Sequence, residues 1–300
     1  MTKQKQEMNI MKLIDQYSTE DECRDALEAL RFPDGVICPH CQSKSISRLQ
    51  THHIYECNSC GYQFSVTVGT IFHDSHLPLQ KWFVAVYLMI ESKKGISANQ
   101  MKRTLNVSYK TAWYLCHRIR ATMLTEAGKQ LRGIVEVDET WVGGKTQGTG
   151  HGFKGNKSIA VGAVQRDGDI VLNTIEHADS ETLGKFIHEH TTPRIEAIYT
   201  DELPAYKMLE KQGIKHETVN HSADEWVRGD IHTNSVENVW SLLKRSIMGS
   251  YHQVSKKHLD AYLDELEWRF NNRENPYLFR DTLLKLIASN QLEYKELVKK

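Results

Sequence analysis

The sequence lacks long apolar runs and any excess of one charge. Its longest uninterrupted apolar stretch, Trp82 to Ile90, has nine residues, whereas a membrane-spanning helix needs about 20. The N-terminal segment MTKQKQEMNI has no apolar secretory core. We therefore expect a cytoplasmic protein without a membrane anchor. With 18 glycines, six prolines and 40% hydrophobic residues in 300, the composition excludes collagen and disorder and favours about two globular domains.

The equal totals of 38 basic and 38 acidic residues hide an uneven distribution along the chain. Residues 38–132 hold 12 Lys/Arg and 4 Asp/Glu, a net charge of +8, whereas residues 1–37 carry −3 and residues 133–300 carry −5. A concentrated positive charge is typical of a surface that binds a polyanion. A solvated face without a partner is the alternative. The acidic remainder is where carboxylates could gather around metal ions.

Cysteine is scarce, but four of the six cysteines form two C-x-x-C pairs separated by 15 residues. The four are Cys38, Cys41, Cys57 and Cys60. This spacing is typical of a zinc ribbon, in which two tight turns supply four thiolates to one tetrahedral Zn2+. Two disulfides are the alternative, which a reducing compartment disfavours. We predict a structural zinc site, and we expect Cys23 and Cys116, on apolar stripes, to be core residues.

The segment after the predicted ribbon has the pattern of two short helices. Ser97 and Ser108 are candidate N-caps on either side of the turn Leu105-Asn106-Val107, and the second helix is predicted to reach about Met123. This arrangement favours a helix-turn-helix with an exposed basic and aromatic face on its second helix. The residues predicted to contact DNA from this face are Lys110, His117, Arg118 and Arg120. An ordinary helical hairpin is the alternative.

From Gly133 onward the pattern becomes α/β. Three successive strands, at 134–138, 158–164 and 170–175, precede alternating helices and strands that end in a helix at 234–248. The order βββ-α-β-α-β-α fits a ribonuclease-H-like fold. A glycine-rich loop between the first two strands carries lysines that suit a phosphate backbone, although a solvated hairpin explains them nearly as well. These lysines are Lys145, Lys154 and Lys157.

Three acidic residues occupy positions suited to phosphoryl transfer. Asp138 and Asp201 follow predicted strands, and Glu237 lies in the first turn of the last predicted helix. Two Mg2+ ions about 3.5–4 Å apart need carboxylates from separate elements. Each acid has another interpretation, because Asp138 and Asp201 could cap the turn or helix that follows. Glu237 could complete a capping box that begins at Asn234.

Lys244 favours the functional interpretation of Glu237. It follows Glu237 by seven residues, which is two helical turns, about 10.5 Å along the axis and nearly the same face. A carboxylate at the metal ions and an ammonium at a DNA phosphate could therefore project together.

Several motifs between about residues 20 and 275 form one further pattern. They are Arg31-Phe32-Pro33-Asp34-Gly35, Val137-Asp138-Glu139-Thr140 with Gly143-Gly144-Lys145, Thr200-Asp201, the fourteen residues from His232 to Arg245, Tyr251-His252-Gln253-Val254-Ser255 and Trp268-Arg269-Phe270-Asn271-Asn272-Arg273. Together they resemble the insertion-sequence 1595-type, or ISXO2-like, DDE transposases. The segment from His232 to Arg245 is the most specific, because a dozen consecutive positions agree.

The resemblance implies a zinc ribbon, a DNA-binding helical segment and a DDE core that uses Mg2+. It implies Asp138, Asp201 and Glu237 as metal ligands, with Lys244 as the accompanying basic residue. Because the third ligand in such proteins is Asn or Glu, Asn234 is the other candidate. We favour Glu237, since an anionic oxygen binds Mg2+ better than an amide. The implied partner is double-stranded DNA, at the terminal inverted repeats and at the target, bound by a homo-oligomer associated with the nucleoid.

The sequence thus predicts a multidomain chain with α+β and α/β parts: a zinc ribbon and a helix-turn-helix followed by a ribonuclease-H-like core. We expect an N-terminal helical segment at 1–37, the ribbon at 38–78, the helix-turn-helix at 79–130, the core at 131–290 and a tail at 291–300. The expected function is cleavage and strand transfer at the ends of an insertion sequence. Two alternatives are a hydrolytic nuclease or resolvase and a zinc-ribbon transcription regulator with an inert core.

Overall fold

The computed structural model describes residues 8–49, 53–124, 129–143, 157–220, 223 and 225–299. The chain divides into two compact units, residues 1–123 with 274–300 and residues 124–273. Residues 274–290, which the sequence assigned to the core, therefore cluster with the first unit, as do residues 291–300. Within the described ranges, no helix has both the length and the hydropathy that crossing a membrane requires.

The described elements follow in chain order. The helices are α1 Ile10–Gln16, α2 Glu20–Arg31, α3 Leu79–Glu91, α4 Ala98–Leu105, α5 Tyr109–Arg120, α6 Ser180–His190, α7 Met208–Lys211, α8 Asn234–Ser246, α9 Leu259–Asn271, α10 Leu278–Ala288 and α11 Tyr294–Val298. The strands are β1 Ile46–Leu49, β2 Ile54–Cys57, β3 Gln63–Phe64, β4 Leu131–Val142, β5 Ser158–Gln165, β6 Ile170–Ile175, β7 Thr191–Thr200 and β8 His216–Thr218.

In the first unit, C-terminal helix α10 packs against α2 and α3. The ring of Phe279 on α10 lies 5.9 Å from that of Phe83, which in turn has an edge contact of 4.9 Å with Tyr17. This aromatic packing explains why residues 274–290 belong to the first unit: their apolar face is buried there. Cys23 and Cys116 are also buried in this unit, as the sequence predicted.

Helix α3 begins without a side-chain cap of its own, because Pro78 occupies its N-cap position. The carboxylate of Glu20 on α2 accepts hydrogen bonds from the amides of Leu79 (3.0 Å) and Gln80 (3.5 Å) instead. The first turn of a helix leaves its amides without partners and favours negative charge. Glu20 therefore caps α3 from another element.

The two helices predicted after Ser97 and Ser108 are present as α4 and α5. The Ser97 and Ser108 hydroxyls accept hydrogen bonds from the amides of Gln100 and Thr111, and Asn106 ends α4 in the left-handed conformation with φ +49°. An asparagine tolerates this conformation better than most residues. The turn that the sequence predicted is therefore built, and its use for DNA binding stays a prediction.

The second unit is a mixed α/β layer structure. Its sheet has the order β6-β5-β4-β7-β8, in which β4, β5 and β6 pair antiparallel and β7 pairs parallel with both β4 and β8. Helix α6 covers one face, where Val135, Val137 and Phe186 share a core cluster. Helices α8 and α9 cover the other face, with Trp240 and Leu263 among their buried residues. The predicted order βββ-α-β-α-β-α is confirmed.

Helix α9, which the sequence analysis did not predict, closes the edge of this sheet. Its side chains accept hydrogen bonds from outward-facing amides of edge strand β6: Asn271 from Ile170 (2.8 Å) and Glu267 from Leu172 (2.8 Å). The Asn271 amide nitrogen also donates to the Ile170 carbonyl at 2.9 Å. An unpaired edge invites association with other strands, and these contacts occupy it.

Candidate active site

The four cysteines of the C-x-x-C pairs lie on two matching turns. After Cys38, the chain turns through Gln42 with φ +62°, and the Gln42 amide donates to the Cys38 carbonyl at 2.9 Å. After Cys57, Gly61 has φ +69° and makes the equivalent bond at 2.8 Å. Strands β1, β2 and β3 form an antiparallel sheet that brings the two turns together. Tyr55 and Phe64 fill the small core beside them.

The sulfur positions fit a tetrahedral zinc ion. All four Sγ atoms lie within 4.8 Å of one another, with Cys38 3.8 Å from Cys60 and Cys41 3.5 Å from Cys57. Four sulfurs about 2.3 Å from one zinc would be about 3.8 Å apart, whereas a disulfide needs about 2.05 Å. The disulfide alternative is therefore wrong, since all four are free thiols. Desolvation alone would raise the pKa of Cys57, but hydrogen bonds from the amides of Ser59 and Cys60 and from the side chains of Cys41 and Cys60 together lower that pKa to about 6.

A second cluster of metal-binding groups lies in the second unit, where β4 and β7 diverge. Carboxylate oxygens of Asp138, Glu139 and Asp201 lie within 4.8 Å of one another. The last parallel pair of β4 and β7 is Glu136 with Tyr199, so Asp138 and Asp201 each follow it by two residues. The register of these two strands therefore brings together two acids that are distant in sequence. Strand β4 continues to Val142, so the interpretation of Asp138 as a turn cap is wrong.

The charges of this cluster oppose one another. Burial, the largest cause, and the nearby charges of Glu139, Asp201 and Glu237 together raise the pKa of Asp138 to about 7. Burial also raises the pKa of Glu139, as does the charge of Asp201. Carboxylate oxygens are the ligands that Mg2+ prefers, and a divalent cation would relieve their repulsion. The donor set therefore fits a hard divalent ion.

Glu139 was not among the predicted site residues. By strand alternation it lies on the face of the sheet opposite Asp138, where it is 8% exposed and accepts a hydrogen bond of 2.8 Å from the Tyr206 hydroxyl. The pKa of Tyr206 is raised by burial and by this carboxylate. Two adjacent acids at the predicted end of one strand are a signal that could have identified Glu139. Asp201 follows the end of β7. The cluster therefore combines Asp201 with one acid from each face of β4, Asp138 and Glu139.

Helix α8 packs over the same strands through Trp240. Gly162 on β5 pairs with Asp138, and a Cβ atom built there would lie 2.8 Å from two atoms of the Trp240 ring. Real atoms do not approach this closely, so the indole needs the glycine. Because Glu237 precedes Trp240 by about one turn, this packing brings Glu237 towards the Asp138 face of the sheet. Glu237 does not, however, belong to the group of three converging acids.

The capping-box interpretation of Glu237 is wrong. Thr233, and not Asn234, is the N-cap of α8, and it makes no side-chain capping bond. Glu237 therefore lies one position beyond the box, and its carboxylate accepts a 2.8 Å hydrogen bond from the Thr233 hydroxyl. Asn234 is exposed in the first turn, and Lys244 is exposed in the last turn of the same continuous helix.

Glu136 is a second acid that the sequence analysis did not single out. Its side chain is fully buried on β4, two residues before Asp138 and on the same face by alternation. It accepts hydrogen bonds from the amides of Ser235 (2.7 Å) and Val236 (3.2 Å) at the start of α8. The Arg166 guanidinium is 3.1 Å from the same carboxylate. An acid in a buried strand has no local signal for this role, since its partners on α8 are about a hundred residues away.

Comparison with known proteins gives concordant results for both clusters. Residues 130–271 match the ISXO2-like transposase domain, and residues 18–63 match the transposase zinc-ribbon domain. A transposase-like protein of Haemophilus influenzae is 32% identical over 100 residues, which are 33% of this chain and 79% of that protein. The chain belongs to the ISXO2-like transposase family. The resemblance inferred from the sequence motifs is thus confirmed.

Another protein and two solved structures are similar to this ISXO2-like transposase over more of its length. A protein in transposable element ISH50 of Halobacterium salinarum is 29% identical over 274 residues, covering 84% of this chain and 91% of that protein. Among solved structures, the Mos1 strand transfer complex has a TM-score of 0.31 and 11% identity over 70% of this chain and 78% of that one. The pre-cleavage Mos1 transpososome has a TM-score of 0.27 and 14% identity, covering 71% and 79%.

Three residues predicted to contact DNA from α5 of the transposase are buried. His117, Arg118 and Arg120 are 2%, 3% and 2% exposed, so the prediction that they form an outer face is wrong. The Arg118 guanidinium donates to the carbonyls of Ile71 and His73 and lies 5.0 Å from the centre of the Trp82 ring. These carbonyls replace water around the charge. A charged residue was taken as exposed because sequence periodicity does not show such backbone partners.

The remaining predicted DNA contacts have different outcomes. Lys110 is exposed at the start of α5, with its Nζ 4.3 Å from the centre of the Tyr294 ring. Lys157 is partly buried just before β5. Lys145 and Lys154 lie outside the described residues.

Proposed function

We propose that this chain cleaves DNA at the ends of an insertion sequence and joins the freed ends to target DNA in a reaction that requires a divalent metal. The convergence of Asp138, Glu139 and Asp201 within 4.8 Å carries the proposal. These acids come from a central strand and from the end of its parallel neighbour. Metal-dependent phosphoryl transfer needs such a cluster of carboxylates from separate elements.

The sheet order supports a ribonuclease-H-like assignment for the second unit. Three antiparallel strands are followed by two parallel ones, and the central strand β4 carries Asp138. Asp201 follows the strand beside it. In an open α/β sheet, ligands bind beyond the carboxyl ends of the strands. Asp201 occupies this position at the end of β7, beside Asp138 and Glu139 on β4.

The residues of the cluster have distinct proposed roles. Asp138 and Asp201 would hold two Mg2+ ions. Glu139, whose carboxylate accepts a hydrogen bond from the Tyr206 hydroxyl, would offer a further oxygen beside them. Bound metal ions supply activation of the attacking oxygen and stabilisation of the leaving oxygen. Water would first hydrolyse the phosphodiester at the element end and release a 3′-hydroxyl. That hydroxyl would then attack a target phosphodiester and expel its 3′ oxygen, so no covalent protein intermediate is needed.

The third ligand remains the subject of a direct test between Glu237 and Asn234. We favour Glu237, because it is close enough for its charge to raise the pKa of Asp138 and because an anionic oxygen binds Mg2+ better. Glu237→Gln should abolish cleavage and joining with little change in thermal midpoint. Lys244→Ala should reduce joining through lost phosphate contact. A normal Glu237→Gln beside an inactive Asn234→Ala would assign the role to Asn234.

The assay uses labelled element ends, a target plasmid and Mg2+, and it resolves nicked from joined products. Asp138→Asn and Asp201→Asn should give neither product. The matched control is Glu265→Gln, which alters a fully buried carboxylate of α9 in the same unit. Nicking without joining by the wild type would favour a hydrolytic nuclease. Sequence-specific binding without metal-dependent cleavage would favour a transcription regulator with an inert core.

The turn between α4 and α5 is the proposed DNA-contacting surface of the first unit. With the C-terminal half of α5 buried, the exposed basic and aromatic groups here are Lys102, Arg103, Tyr109 and Lys110. A recognition helix contacts base edges through its N-terminal residues, so burial of its other end is compatible with this role. The proposed binding site is therefore centred on the turn.

Salt dependence of binding to double-stranded element ends tests this surface. Arg103→Ala and Lys110→Ala should each reduce the slope of log K against log salt by about one for each lost phosphate contact. Lys211→Ala, an exposed lysine on α7 of the second unit, is the control that should leave the slope unchanged. Binding of both ends by a homo-oligomer would appear as one complex that contains two labelled ends. Unchanged slopes for both variants would contradict the proposed surface.

A further inference from the structure

Helix α8 is capped by a residue from a different element. The first free amides of a helix, at its second and third positions, normally bond to the side chain of the N-cap residue. Here these amides belong to Ser235 and Val236, and both donate to the carboxylate of Glu136 on β4. The Ser235 hydroxyl donates to the same carboxylate at 3.0 Å. The N-cap residue Thr233 makes no side-chain bond to these amides.

Because Glu136 caps α8, the Thr233 hydroxyl bonds to a different group. It donates at 2.8 Å to the carboxylate of Glu237, in the next turn of α8. Thr233 is 1% exposed, so its hydroxyl has a fixed environment. Without Glu136, the side chain at the N-cap position, that of Thr233, would be the usual acceptor for the two amides. In its present position the hydroxyl donates to Glu237 and caps neither amide, so it would have to reorient in order to cap them.

The Glu136 carboxylate also has two partners outside α8. Arg166 Nε lies 3.1 Å from Oε1 and its guanidinium stacks 4.9 Å from the centre of the Tyr199 ring. His232 Nδ1 lies 3.3 Å from the same oxygen. Several donors on a fully buried carboxylate fix its position. Since Asp138 follows on the same strand face, Glu136 ties the start of α8 to the strand that carries the first acid.

We propose that Glu136 is a positioning residue of the active site: by taking over the cap of α8, it assigns the Thr233 hydroxyl to Glu237 and fixes that carboxylate relative to Asp138. The inference rests on the proposed function, because it gives Glu237 a role in the reaction. A positioning role and a purely structural role for Glu136 predict different results. A structural cap would change stability alone, whereas a positioning residue changes metal binding and the chemical step.

The experiment compares Glu136→Gln, Thr233→Val and the double variant at a temperature well below every unfolding midpoint. Each protein is assayed for kcat and KM in cleavage and for Mn2+ affinity by electron paramagnetic resonance without DNA. Thr233→Ser, which keeps the hydroxyl, is the conservative variant. Glu20→Gln is the matched control, since Glu20 also caps a helix from another element but does so for α3 in the first unit.

We expect Glu136→Gln and Thr233→Val each to lower kcat by about 10- to 100-fold, as small displacements of reacting groups do, and to weaken Mn2+ binding, with KM for DNA unchanged. Because both act through Glu237, the double variant should be no worse than the more damaged single variant. Thr233→Ser should retain wild-type kcat. Glu20→Gln should lower only the thermal midpoint.

Three outcomes would overturn the inference. The first is a Glu136→Gln protein that melts earlier but has normal kcat and Mn2+ affinity. The second is multiplicative loss in the double variant, and the third is a Thr233→Val protein with full activity, which remains decisive even if Glu136→Gln fails to fold. A wild-type protein that binds Mn2+ but never cleaves DNA would contradict the proposed function, while the Mn2+ titrations would still decide whether Glu136 and Thr233 position the site.

Discussion

Adding one methyl group at Gly162 on β5 should push helix α8 away from the sheet and from the neighbouring strand β4, which carries Asp138. A Cβ atom there would lie 2.8 Å from two ring atoms of Trp240 and 2.9 Å from Leu172 Cδ2. All three contacts are below the distance that real atoms show, and both neighbours are buried. Overpacking of this kind costs about 1–3 kcal/mol. The higher strand propensity of alanine offsets about 0.5–1 kcal/mol of this cost.

From the middle of these two ranges, we expect Gly162→Ala to lower the free energy of unfolding of the second unit by about 1.3 kcal/mol. At about 2–4 °C per kcal/mol for a unit of this size, the thermal midpoint should fall by roughly 3–5 °C. Cleavage activity should also fall at a temperature where the second unit stays folded, because Trp240 and Glu237 share a helix. The assay is calorimetry of the metal-free protein, followed by cleavage at 25 °C.

The matched control is Gly184→Ala on helix α6. A Cβ atom at Gly184 meets only the flexible side chain of Met208, at 3.4 Å and 3.9 Å. Alanine should therefore raise the midpoint, since glycine in a helix costs about 0.5–1 kcal/mol relative to alanine. Adding Trp240→Phe to Gly162→Ala removes the two clashing ring atoms and should recover part of the relative loss. An unchanged or higher midpoint for Gly162→Ala would refute the reasoning.

Three further predictions concern the metal sites and α5. Cys38→Ser should lose zinc and unfold the ribbon while the second unit stays folded, whereas Cys116→Ala keeps zinc; elemental analysis finding no zinc in the wild type would contradict this. Because the pKa of Asp138 is raised from 3.8 to about 7, the native metal-free protein binds this proton more tightly than the unfolded chain, so its stability should decrease as pH rises from about 4 to 7. Melting curves should show this decrease flattened in Asp138→Asn. Arg118→Ala should lower the midpoint of the first unit by breaking buried bonds, whereas Lys110→Ala should affect only DNA binding; the reverse pattern would contradict the burial of Arg118.

The features that sequence predicted well are those with short-range signals. The C-x-x-C pairs, the serine caps of α4 and α5 and the strand order of the second unit all follow from spacing within a few residues or from periodicity. Asp138 and Asp201 were also identified from their positions after apolar strands. Their convergence depends on the parallel register of β4 and β7. No pattern within either sequence segment shows that register.

The features that sequence missed depend on partners distant in the chain. Arg118 was expected on the exposed face of α5 because of its position in the helical pattern, but two backbone carbonyls accept from it in the folded protein. The assignment of residues 274–290 to the core failed because no local pattern shows that α10 packs against α2 and α3. Glu139 was missed because its hydrogen-bond partner Tyr206 is 67 residues away in the sequence and gives no local signal.

The first turn of α8 shows why a local motif can mislead at a functional site. Asn234-Ser235-Val236-Glu237 has the letters of a capping box, and in an isolated helix those residues would satisfy one another. In the folded unit, Glu136 supplies a buried negative charge to the Ser235 and Val236 amides, which is favoured at a helix N-terminus. The local acid is then not needed for the cap. Glu237 can therefore accept the hydrogen bond from the Thr233 hydroxyl instead, because Glu136, 101 positions earlier in the sequence, accepts from the first amides of α8.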